Sequence, residues 1–471
     1  MASNPLSPNG EPHRPSGASG ERPFGLSEIF FSITDRKGII LSGNEVFTRV
    51  SGYPREAMVG RPHNLVRHDD MPRVVFKVFW DEILAGRPIA AYVKNRASDG
   101  RYYWVIAMAM PASEGFLSIR IKPTSELFPV VQGLYRELRE LERGIEGPNG
   151  LRRKEAMEAS AKVLLAKLAE AGFPTYDAFM RAAILAEVRL REEHLQRDRS
   201  AANINLRNLG GDATSSLRKA NSLLTELVLR LDEYGRLNAR LAENAAFIRD
   251  LTDEIRLFAL NAIVAASKAG GADGAAIGAV AGLLRSNSES SAAMFRALGD
   301  SVVAASETIG EMLFPVAAAR LQGEMLEKFM AERGSEAAGD RDASDVQALH
   351  GCLERETGGL VRLLNEFDRR MNVLQTSVQD LRFELKAMRA LSLNGRIEAA
   401  RIENHGQFTN LFATIGERVA AAGVELDELG KSCDRLFTHH GESASEIERA
   451  VAAAGAAIEA RIAASEPGIA A

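Results

Sequence analysis

A heptad pattern of apolar residues that occurs twice is the feature that most restricts how this chain of 471 residues can fold. In each copy the steps between apolar positions alternate between four and three, the spacing of a coiled-coil seam. The first seam comprises Ala220, Leu224, Leu227, Leu231, Tyr234, Asn238, Leu241, Ala245, Ile248, Thr252, Ile255, Ala259 and Ala262. The second seam comprises Leu360, Leu364, Phe367, Met371, Leu374, Val378, Leu381, Leu385, Met388, Ser392, Gly395 and Ala399.

The two copies also share a local sequence, with Leu260-Asn261 in the first and Leu393-Asn394 in the second, 133 residues apart. This offset is a whole number of heptads, so a duplicated helical hairpin would keep both seams in phase. Each copy then reaches a glycine-containing break, near Gly270–Gly274 and at His405-Gly406. On either side of each break the helical pattern continues for about 58 residues, or ~87 Å at the rise of an α-helix.

These patterns predict a helical hairpin at 211–332, a polar linker at 333–345 and a second hairpin at 346–465. Two antiparallel hairpins in tandem can close a four-helix bundle within one chain. Pro315 should kink the returning arm of the first hairpin.

Residues 24–123 follow a different pattern, rich in aromatic and β-branched residues and interrupted by turn signals. Gly38 and the Ser98-Asp99-Gly100 segment mark hairpin turns, and Asn44 to Gly52 resembles a short helix that ends at glycine. We therefore expect an α+β domain whose small helices cover one face of a sheet and leave a pocket between the layers. The predicted strands are Ile29–Thr34, Ile39–Ser42, Ala90–Asn95, Tyr102–Met110 and Phe116–Ile121.

The remaining segments are a leader at 1–23, whose prolines and polar residues predict disorder, and a connector at 124–210. The connector is expected to form three helices, broken at Gly147–Gly150 and at Gly172–Pro174. The leader has no apolar core of a signal peptide, and we find no continuous apolar run of the length that a spanning helix needs. These observations predict a soluble, cytoplasmic protein with no membrane span.

Composition excludes several functions. The chain has 58 Lys and Arg against 63 Asp and Glu, which gives no basic footprint for nucleic acid. Its two cysteines, Cys352 and Cys433, form no metal-binding pattern and are interpreted as reduced thiols. The sequence has no ATP-lid glycine boxes and no phospho-acceptor histidine context of a histidine kinase, and Gly210-Gly211-Asp212 is not followed by the rest of a cyclase signature. We therefore do not expect an enzyme.

Residues 51–121 resemble the PAS domains of the aerotaxis-receptor (Aer) family. The matching stretches are Ser51-Gly-Tyr53, Gly60-Arg-Pro-His-Asn-Leu-Val-Arg-His68, Asp70-Met-Pro72, Val93-Lys-Asn-Arg96, Asp99-Gly100, Tyr103-Trp-Val105 and Ser118-Ile-Arg120. The resemblance implies a sensory PAS domain that holds FAD and reports oxygen or electron-transport status. The positions that correspond to flavin-site residues of the family are Asn44, Arg67, His68 and Asp70.

Other interpretations of the same residues stay open. Arg67, His68 and Asp70 are also suited to capping short helices and holding a loop, and the pocket is then empty or holds another ligand. Haem is a further alternative, because His63 or His68 could supply its axial ligand.

Both helical repeats resemble the hairpin tip of methyl-accepting chemotaxis proteins, which docks the histidine kinase CheA and the adaptor CheW. The second copy has Leu391-Ser-Leu-Asn394 and Ile397-Glu-Ala-Ala-Arg401, and the first has Phe258-Ala-Leu-Asn261. The resemblance implies that kinase and adaptor contact residues from both copies, namely Asn261, Arg285, Asn394, Glu398 and Arg401. Alternatively, Glu398 and Arg401 form an ordinary exposed charge pair on a helix.

Two functional hypotheses follow. The first is a soluble chemoreceptor-like transducer that senses redox, oxygen or energy state through its PAS domain and modulates a CheA pathway. The second is a PAS-regulated scaffold whose coiled coil binds another partner or only self-associates.

Overall fold

The computed structural model of the protein describes residues 20–147, 151–202, 212–269, 271–333, 340–401, 406–437 and 440–465. Most of the predicted leader lies outside these ranges, as do the predicted break residues Gly210, Gly211, Gly270, Gly334 and His405. The chain divides into two compact units. The first unit comprises Met1–Leu229, Met312–Val361 and Ser445–Ala471, and the second comprises Arg230–Glu311 and Arg362–Ala444.

The first unit contains a five-stranded antiparallel sheet with the strand order β2-β1-β5-β4-β3. Each predicted strand is confirmed to within one residue at either end. The strands are β1 (Ile29–Asp35), β2 (Ile40–Gly43), β3 (Ile89–Arg96), β4 (Tyr102–Pro111) and β5 (Gly115–Ile121). Alternation of side chains along these strands gives the sheet two different faces.

Short helices and a 3-10 turn precede β3. They are α1 (Glu45–Ser51), α2 (Arg55–Met58), the turn His63–Val66 and α3 (Arg73–Leu84). The predicted helix between Asn44 and Gly52 is confirmed: the Asn44 side chain accepts a hydrogen bond from the Phe47 amide, and Gly52 ends the helix at φ 72°. The predicted turn at Gly38 also has positive φ, 79°.

Three connector helices follow the sheet, as predicted from the two glycine breaks. They are α4 (Leu127–Glu146), α5 (Arg153–Glu170) and α6 (Tyr176–Ala202). Phe128 of α4 stacks on Tyr92 of β3 at a ring distance of 5.8 Å and meets Trp104 of β4 edge-on at 5.4 Å. The connector therefore packs on the sheet face opposite α3.

The remainder of the described chain is helical. Its elements are α7 (Asp212–Ala269), α8 (Gly271–Arg333), α9 (Asp340–Ala399), α10 (Gly406–Phe437) and α11 (His440–Ser465). Pro315 lies inside α8, and the predicted kink stays a prediction.

One detail of the expected hairpins is wrong. Helix α9 already begins at Asp340, within the predicted linker, because residues 340–345 contain no glycine or proline to oppose a helix. In the returning arm of the second hairpin the structure describes α10 to Phe437 and α11 from His440, and residues 438–439 lie outside the described ranges.

The second seam is confirmed as a core stripe, since every residue from Leu360 to Ala399 in it is buried. In the first seam, Ala220, Leu224, Leu227, Leu231, Ile255, Ala259 and Ala262 are buried. The side chains of its other six members, from Tyr234 to Thr252, lie outside the described residues.

Within the second unit, contacts join four helical segments pairwise. Near the tips, Ala266 of α7 faces Gly278 of α8, and Ser392 of α9 faces Gly416 of α10. Arg370 Nη1 of α9 donates to the Ala304 carbonyl of α8 at 2.7 Å. Arg418 of α10 pairs with Glu254 of α7 at 3.3 Å, so the four segments form one bundle.

Among the described helices, the stretch Gly274–Glu332 of α8 is long and apolar enough to cross a membrane by length and composition alone. However, 56% of its most apolar window is buried inside the protein. A core helix of a bundle shows the same properties.

Candidate ligand-binding site

A cavity of about 260 Å³ lies between the sheet and α3, where the sequence predicts a pocket. The wall from α3 is apolar and consists of Phe76, Phe79, Trp80 and Ile83. The wall from the sheet combines small apolar residues with polar side chains, which are Ser32, Thr34, Asn95, Ser118 and Arg120.

The pairing of β1 with β5 collects the polar groups at one place. Ser32 lies opposite Ser118, and Phe30 lies opposite Arg120. Because side chains two residues apart on a strand share a face, Ser118 and Arg120 both face the cavity. The Ser118 Oγ is buried and has no hydrogen-bond partner among the described residues.

Arg120 is a buried cation, with 4% of its surface exposed. Its guanidinium donates to the Ser32 Oγ at 3.0 Å and to the Ser118 carbonyl at 3.4 Å, and lies 2.7 Å from Nε2 of His63. Burial lowers the pKa of Arg120 to about 10, so the group remains charged at neutral pH. These hydrogen-bond partners in the described chain are a hydroxyl, a carbonyl and an imidazole, and none of the three is a carboxylate.

His63 begins the 3-10 turn, and its ring stacks on Phe47 at a centroid distance of 5.9 Å. Burial first, and then the charge of Arg120, lower the pKa of His63 to about 3. The ring is therefore neutral at pH 7. Since Nε2 faces an Arg120 donor, Nε2 is the acceptor and Nδ1 carries the proton.

The charges of the lining have one sign. Its cations are Lys37, Arg67 and Arg120, and none of the described residues that line it is Asp or Glu. The Arg67 guanidinium lies 4.0 Å from the centroid of the Phe76 ring. Burial, followed by repulsion from Arg73 and Arg139, lowers the pKa of Arg67 to about 10.

Of the four predicted flavin-site residues, Arg67 lines the cavity, whereas Asn44 is not among the lining residues. The buried Asn44 side chain accepts from the Phe31 amide at 3.3 Å and donates to the Ile29 carbonyl at 3.3 Å. It also lies 3.4 Å from Glu332 of α8. In this structure Asn44 joins α1, β1 and α8.

His68 and Asp70 also lie outside the lining. Asp70 pairs with Lys94 of β3 at 2.7 Å and with Arg143 of α4 at 3.1 Å, and its amide donates to Nδ1 of His68 at 3.1 Å. These contacts hold the loop before α3, in agreement with the second interpretation of these residues. A direct ligand role for Asn44, His68 and Asp70 stays a prediction.

The opposite face of the sheet is fixed by a buried carboxylate of α6. Glu187 accepts hydrogen bonds from the Tyr92 hydroxyl at 2.8 Å, from the Ser125 hydroxyl at 2.7 Å and from the Ser125 amide at 2.9 Å. It therefore joins β3 to the segment that leaves β5.

A cluster of four buried charges lies between α6 and α8. Its arginines are Arg191 and Arg320, and its carboxylates are Glu192 and Glu324. Arg191 bonds Glu324 twice at 2.6 Å, and Arg320 pairs with Glu192 at 2.7 Å and with Glu324 at 3.1 Å. Arg191 also donates to the carbonyl of Ser27, just before β1.

The residues predicted to contact a kinase are placed near the break of each hairpin. Asn261, Arg285, Asn394 and Arg401 are exposed, and Glu398 is half-buried. Glu398 and Arg401 form an i,i+3 ion pair at 2.9 Å, as the alternative interpretation expects.

Exposed apolar residues accompany these polar ones at equivalent positions of the two copies. Leu260 and Val264 are 47% and 49% exposed, and their counterparts Leu393 and Ile397 are 53% and 47% exposed. Each pair is spaced i,i+4 and therefore forms one patch on its helix.

Arg120 and Ser118 were not predicted from the sequence as cavity residues, although both occur in a stretch that carries the family resemblance. Their alternation with Ile119 shows that they share a face, but only the pairing with β1 shows that this face lines the cavity. No pattern in the sequence indicated the Arg191 cluster, because Arg191 and Glu192 lie more than 120 residues before Arg320 and Glu324.

The antiparallel sheet, the small helices on one face and the cavity between them define a PAS fold. Residues 40–115 match the model of the PAS fold family. A stretch of 121 residues is 38% identical to the aerotaxis receptor of Escherichia coli (strain K12), and covers 25% of this chain and 24% of the receptor. The protein thus has an aerotaxis-receptor-like PAS domain, and it spans about a quarter of the length of this curated relative.

Proposed function

We propose that this protein is a cytoplasmic, non-enzymatic signal transducer whose PAS domain senses redox, oxygen or energy state through FAD. Its helical bundle modulates a chemotaxis kinase pathway through CheA and CheW. The observation that carries the proposal is the cationic cavity without a carboxylate in its described lining, within a domain similar to that of an aerotaxis receptor.

The lining fits a flavin in chemical terms. Phe76, Phe79 and Trp80 offer aromatic surface to a planar ring, and the unpartnered Ser118 hydroxyl offers a hydrogen bond. Arg67 and Lys37 suit the phosphates. When bound, FAD would supply reversible electron transfer.

Haem is less well supported by the same residues. Nε2 of His63 already lies 2.7 Å from the Arg120 guanidinium. The positive charge of Arg120 would repel an iron ion bound at Nε2. His68 is not among the lining residues.

The route by which the PAS domain acts on the helices uses contacts inside the first unit. Glu187 of α6 accepts a hydrogen bond from Ser125, in the segment that follows β5. Arg191 of α6 donates to the Ser27 carbonyl, just before β1, and pairs with Glu324 of α8. A change in hydrogen bonds at the cavity face of β1 and β5 would therefore reach α6 and α8 through these two buried sets of contacts.

The cofactor is tested by the absorption spectrum of full-length protein purified from flavin-replete cells. The proposal expects a yellow protein that releases FAD on denaturation. A colourless protein that also fails to bind added FAD would contradict flavin sensing.

Signal transfer is tested by hydrogen exchange of the oxidised and the reduced protein. We expect protection to change in α6 and α8 around Arg191 and Glu324. Identical protection in both states would exclude coupling by this route.

The output is tested by capture of purified CheA and CheW. We expect capture by the wild type and a loss of at least tenfold when Leu260→Glu and Leu393→Glu are combined, or when the charges of Glu398 and Arg401 are reversed. The matched control reverses Glu428 and Lys431, another exposed i,i+3 pair on the bundle, at 2.8 Å. If the intact protein captures neither CheA nor CheW, the proposed output through the chemotaxis kinase is contradicted and the scaffold hypothesis is favoured.

A further inference from the structure

Helix α3 forms one wall of the cavity, and the cap of its first turn comes from a distant part of the chain. The residue before the helix is Pro72, which makes no side-chain capping hydrogen bond. The amides of Arg73 and Val74 instead donate to the carboxylate of Glu142 in α4, at 2.7 Å and 3.0 Å. Such caps normally come from a residue beside the helix start, whereas Glu142 lies 69 residues after Arg73.

This cap is fully buried and connects α3 to two helices of the connector. The Oε1 of Glu142 also accepts from the Ser160 hydroxyl of α5 at 3.0 Å. Arg139 of α4 lies 3.4 Å from Glu142, and Arg73 pairs with Glu146 one turn further along α4. If α3 moved away, a buried carboxylate would lose two of its donors, so the positions of α3, α4 and α5 depend on one another.

We propose that Glu142 is a releasable cap that holds α3 closed over the cavity, so that opening of the cavity also frees α4 and α5. The side chains of Phe76, Phe79 and Trp80 line the cavity and move with α3. A ligand that packs against them binds the closed state better, and by linkage it strengthens the cap. This inference adds a route through α4 and α5 to the proposed function and rests on that function only for the identity of the ligand.

The position of the cap distinguishes this role from general stabilisation of the fold. Glu142 holds the start of α3, whereas backbone pairing from Ile29–Ile121 to Asp35–Gly115 joins β1 to β5 without α3. Release of the cap should therefore free α3 while the centre of the sheet remains protected from hydrogen exchange.

The test compares the full-length wild type with Glu142→Gln. A glutamine has one acceptor oxygen where the carboxylate has two, so one amide of the first turn of α3 loses its acceptor. The matched control is Glu140→Gln, which changes an exposed carboxylate of the same helix. Circular dichroism establishes that each variant is folded before exchange is measured.

The first readout is hydrogen exchange of the ligand-free protein. In Glu142→Gln we expect exchange in α3 to accelerate about fivefold or more, with unchanged protection of β5. A residue that only stabilises the fold predicts the same acceleration in α3 and in β5. That result, or no acceleration in α3, overturns the proposal.

The second readout breaks the contact from the side of α3, and it decides the proposal if Glu142→Gln does not fold. Arg73→Met removes the pair with Glu146 and should accelerate exchange around Ser160 of α5 about twofold or more. The control Lys77→Met breaks an exposed pair with Asp81 within α3 and should leave α5 unchanged. Unchanged exchange of α5 in Arg73→Met overturns the coupling of α3 to the connector.

The third readout separates the cap from the flavin hypothesis. If the wild type binds FAD, we expect FAD to dissociate about fivefold faster or more from Glu142→Gln, and equal rates overturn control of the cavity by the cap. If the wild type binds no FAD, the flavin hypothesis alone fails. Acrylamide quenching of Trp80 fluorescence, in a Trp104→Phe background, then replaces this readout: stronger quenching in Glu142→Gln supports the cap, and equal quenching overturns it.

Discussion

Arg191 and Glu324 form a two-bond ion pair, with Nη1–Oε2 and Nη2–Oε1 distances of 2.6 Å each. The Arg191 side chain is fully buried, and its Nε and Nη2 also donate to the carbonyls of Leu26 and Ser27. One side chain of α6 therefore connects the segment before β1 with α8.

Glu324→Gln should destabilise the first unit by about 3–5 kcal/mol, because Arg191 and Arg320 would lose a buried counter-ion. Urea unfolding followed by tryptophan fluorescence measures this effect, since both tryptophans, Trp80 and Trp104, belong to the first unit. The control is Glu327→Gln, which breaks a partly exposed pair with Arg218 and should cost less than about 1 kcal/mol. Equal effects of the two substitutions would contradict the structural role of the cluster.

His63 should make the first unit less stable in acid. Its folded-state pKa, about 3, lies below the ordinary value of 6.5, so the unfolded state binds the proton first as pH falls. The stability that neutral His63 contributes is complete above about pH 6.5 and decreases by at most ~1.4 kcal/mol per pH unit below it. His63→Gln should reduce this slope in urea unfolding between pH 7.5 and 5.5, by roughly one proton.

The control for this pH experiment is His194→Gln, which changes a half-buried histidine of α6 that lies 3.3 Å from Asp198 and outside the cavity. A slope that is the same in His63→Gln and in the wild type would show that His63 does not titrate as the geometry requires.

Glu187→Gln should loosen the attachment of β3 and of the segment after β5 to α6. The Glu187 Oε1 accepts from the hydroxyls of Tyr92 and Ser125, and Oε2 accepts from the Ser125 amide. The NH2 group of a glutamine only donates, so the two hydroxyls would lose their shared acceptor at Oε1. A buried donor without an acceptor costs about 1–3 kcal/mol. Hydrogen exchange should accelerate at residues 124–128, and Glu193→Gln, on the exposed side of α6, should have no such effect.

Two glycine substitutions should have opposite signs in the bundle. A Cβ at Gly395 of α9 would overlap the Phe412 ring of α10, whereas a Cβ at Gly299 of α8 would meet nothing within 4 Å. Gly395→Ala should therefore destabilise the second unit by about 1–3 kcal/mol through overpacking. Gly299→Ala should stabilise its helix by up to about 1 kcal/mol, and thermal unfolding by far-UV circular dichroism compares the two.

Local signals in the sequence were sufficient for most elements of the fold. The alternation around Ser118 and the turn at Gly38 place the strands to within one residue, because both depend on the nearest neighbours along the chain. The second seam was predicted correctly for the same reason, because its buried positions recur at helical spacing from Leu360 to Ala399.

The site was less predictable because it depends on pairing between distant segments. Arg67 was identified through its motif and does line the cavity. The role of Arg120 depends on His63, 57 residues earlier, and that of Arg191 depends on Glu324, 133 residues later. Each pair joins two different elements of the fold, so a pattern within one segment of the sequence could not have paired these residues.

The face of the sheet that turns away from the cavity is covered by helices from later in the same chain. Phe31 of β1 meets Phe329 of α8 at a ring distance of 5.0 Å, and Tyr92 stacks on Phe128 of α4. This PAS domain is consequently not a portable module. If residues 24–123 were transferred to another receptor, apolar residues of that receptor would have to cover this face. A chimera that leaves this chain after Pro123 would expose the apolar face of the sheet to water and would be prone to aggregate.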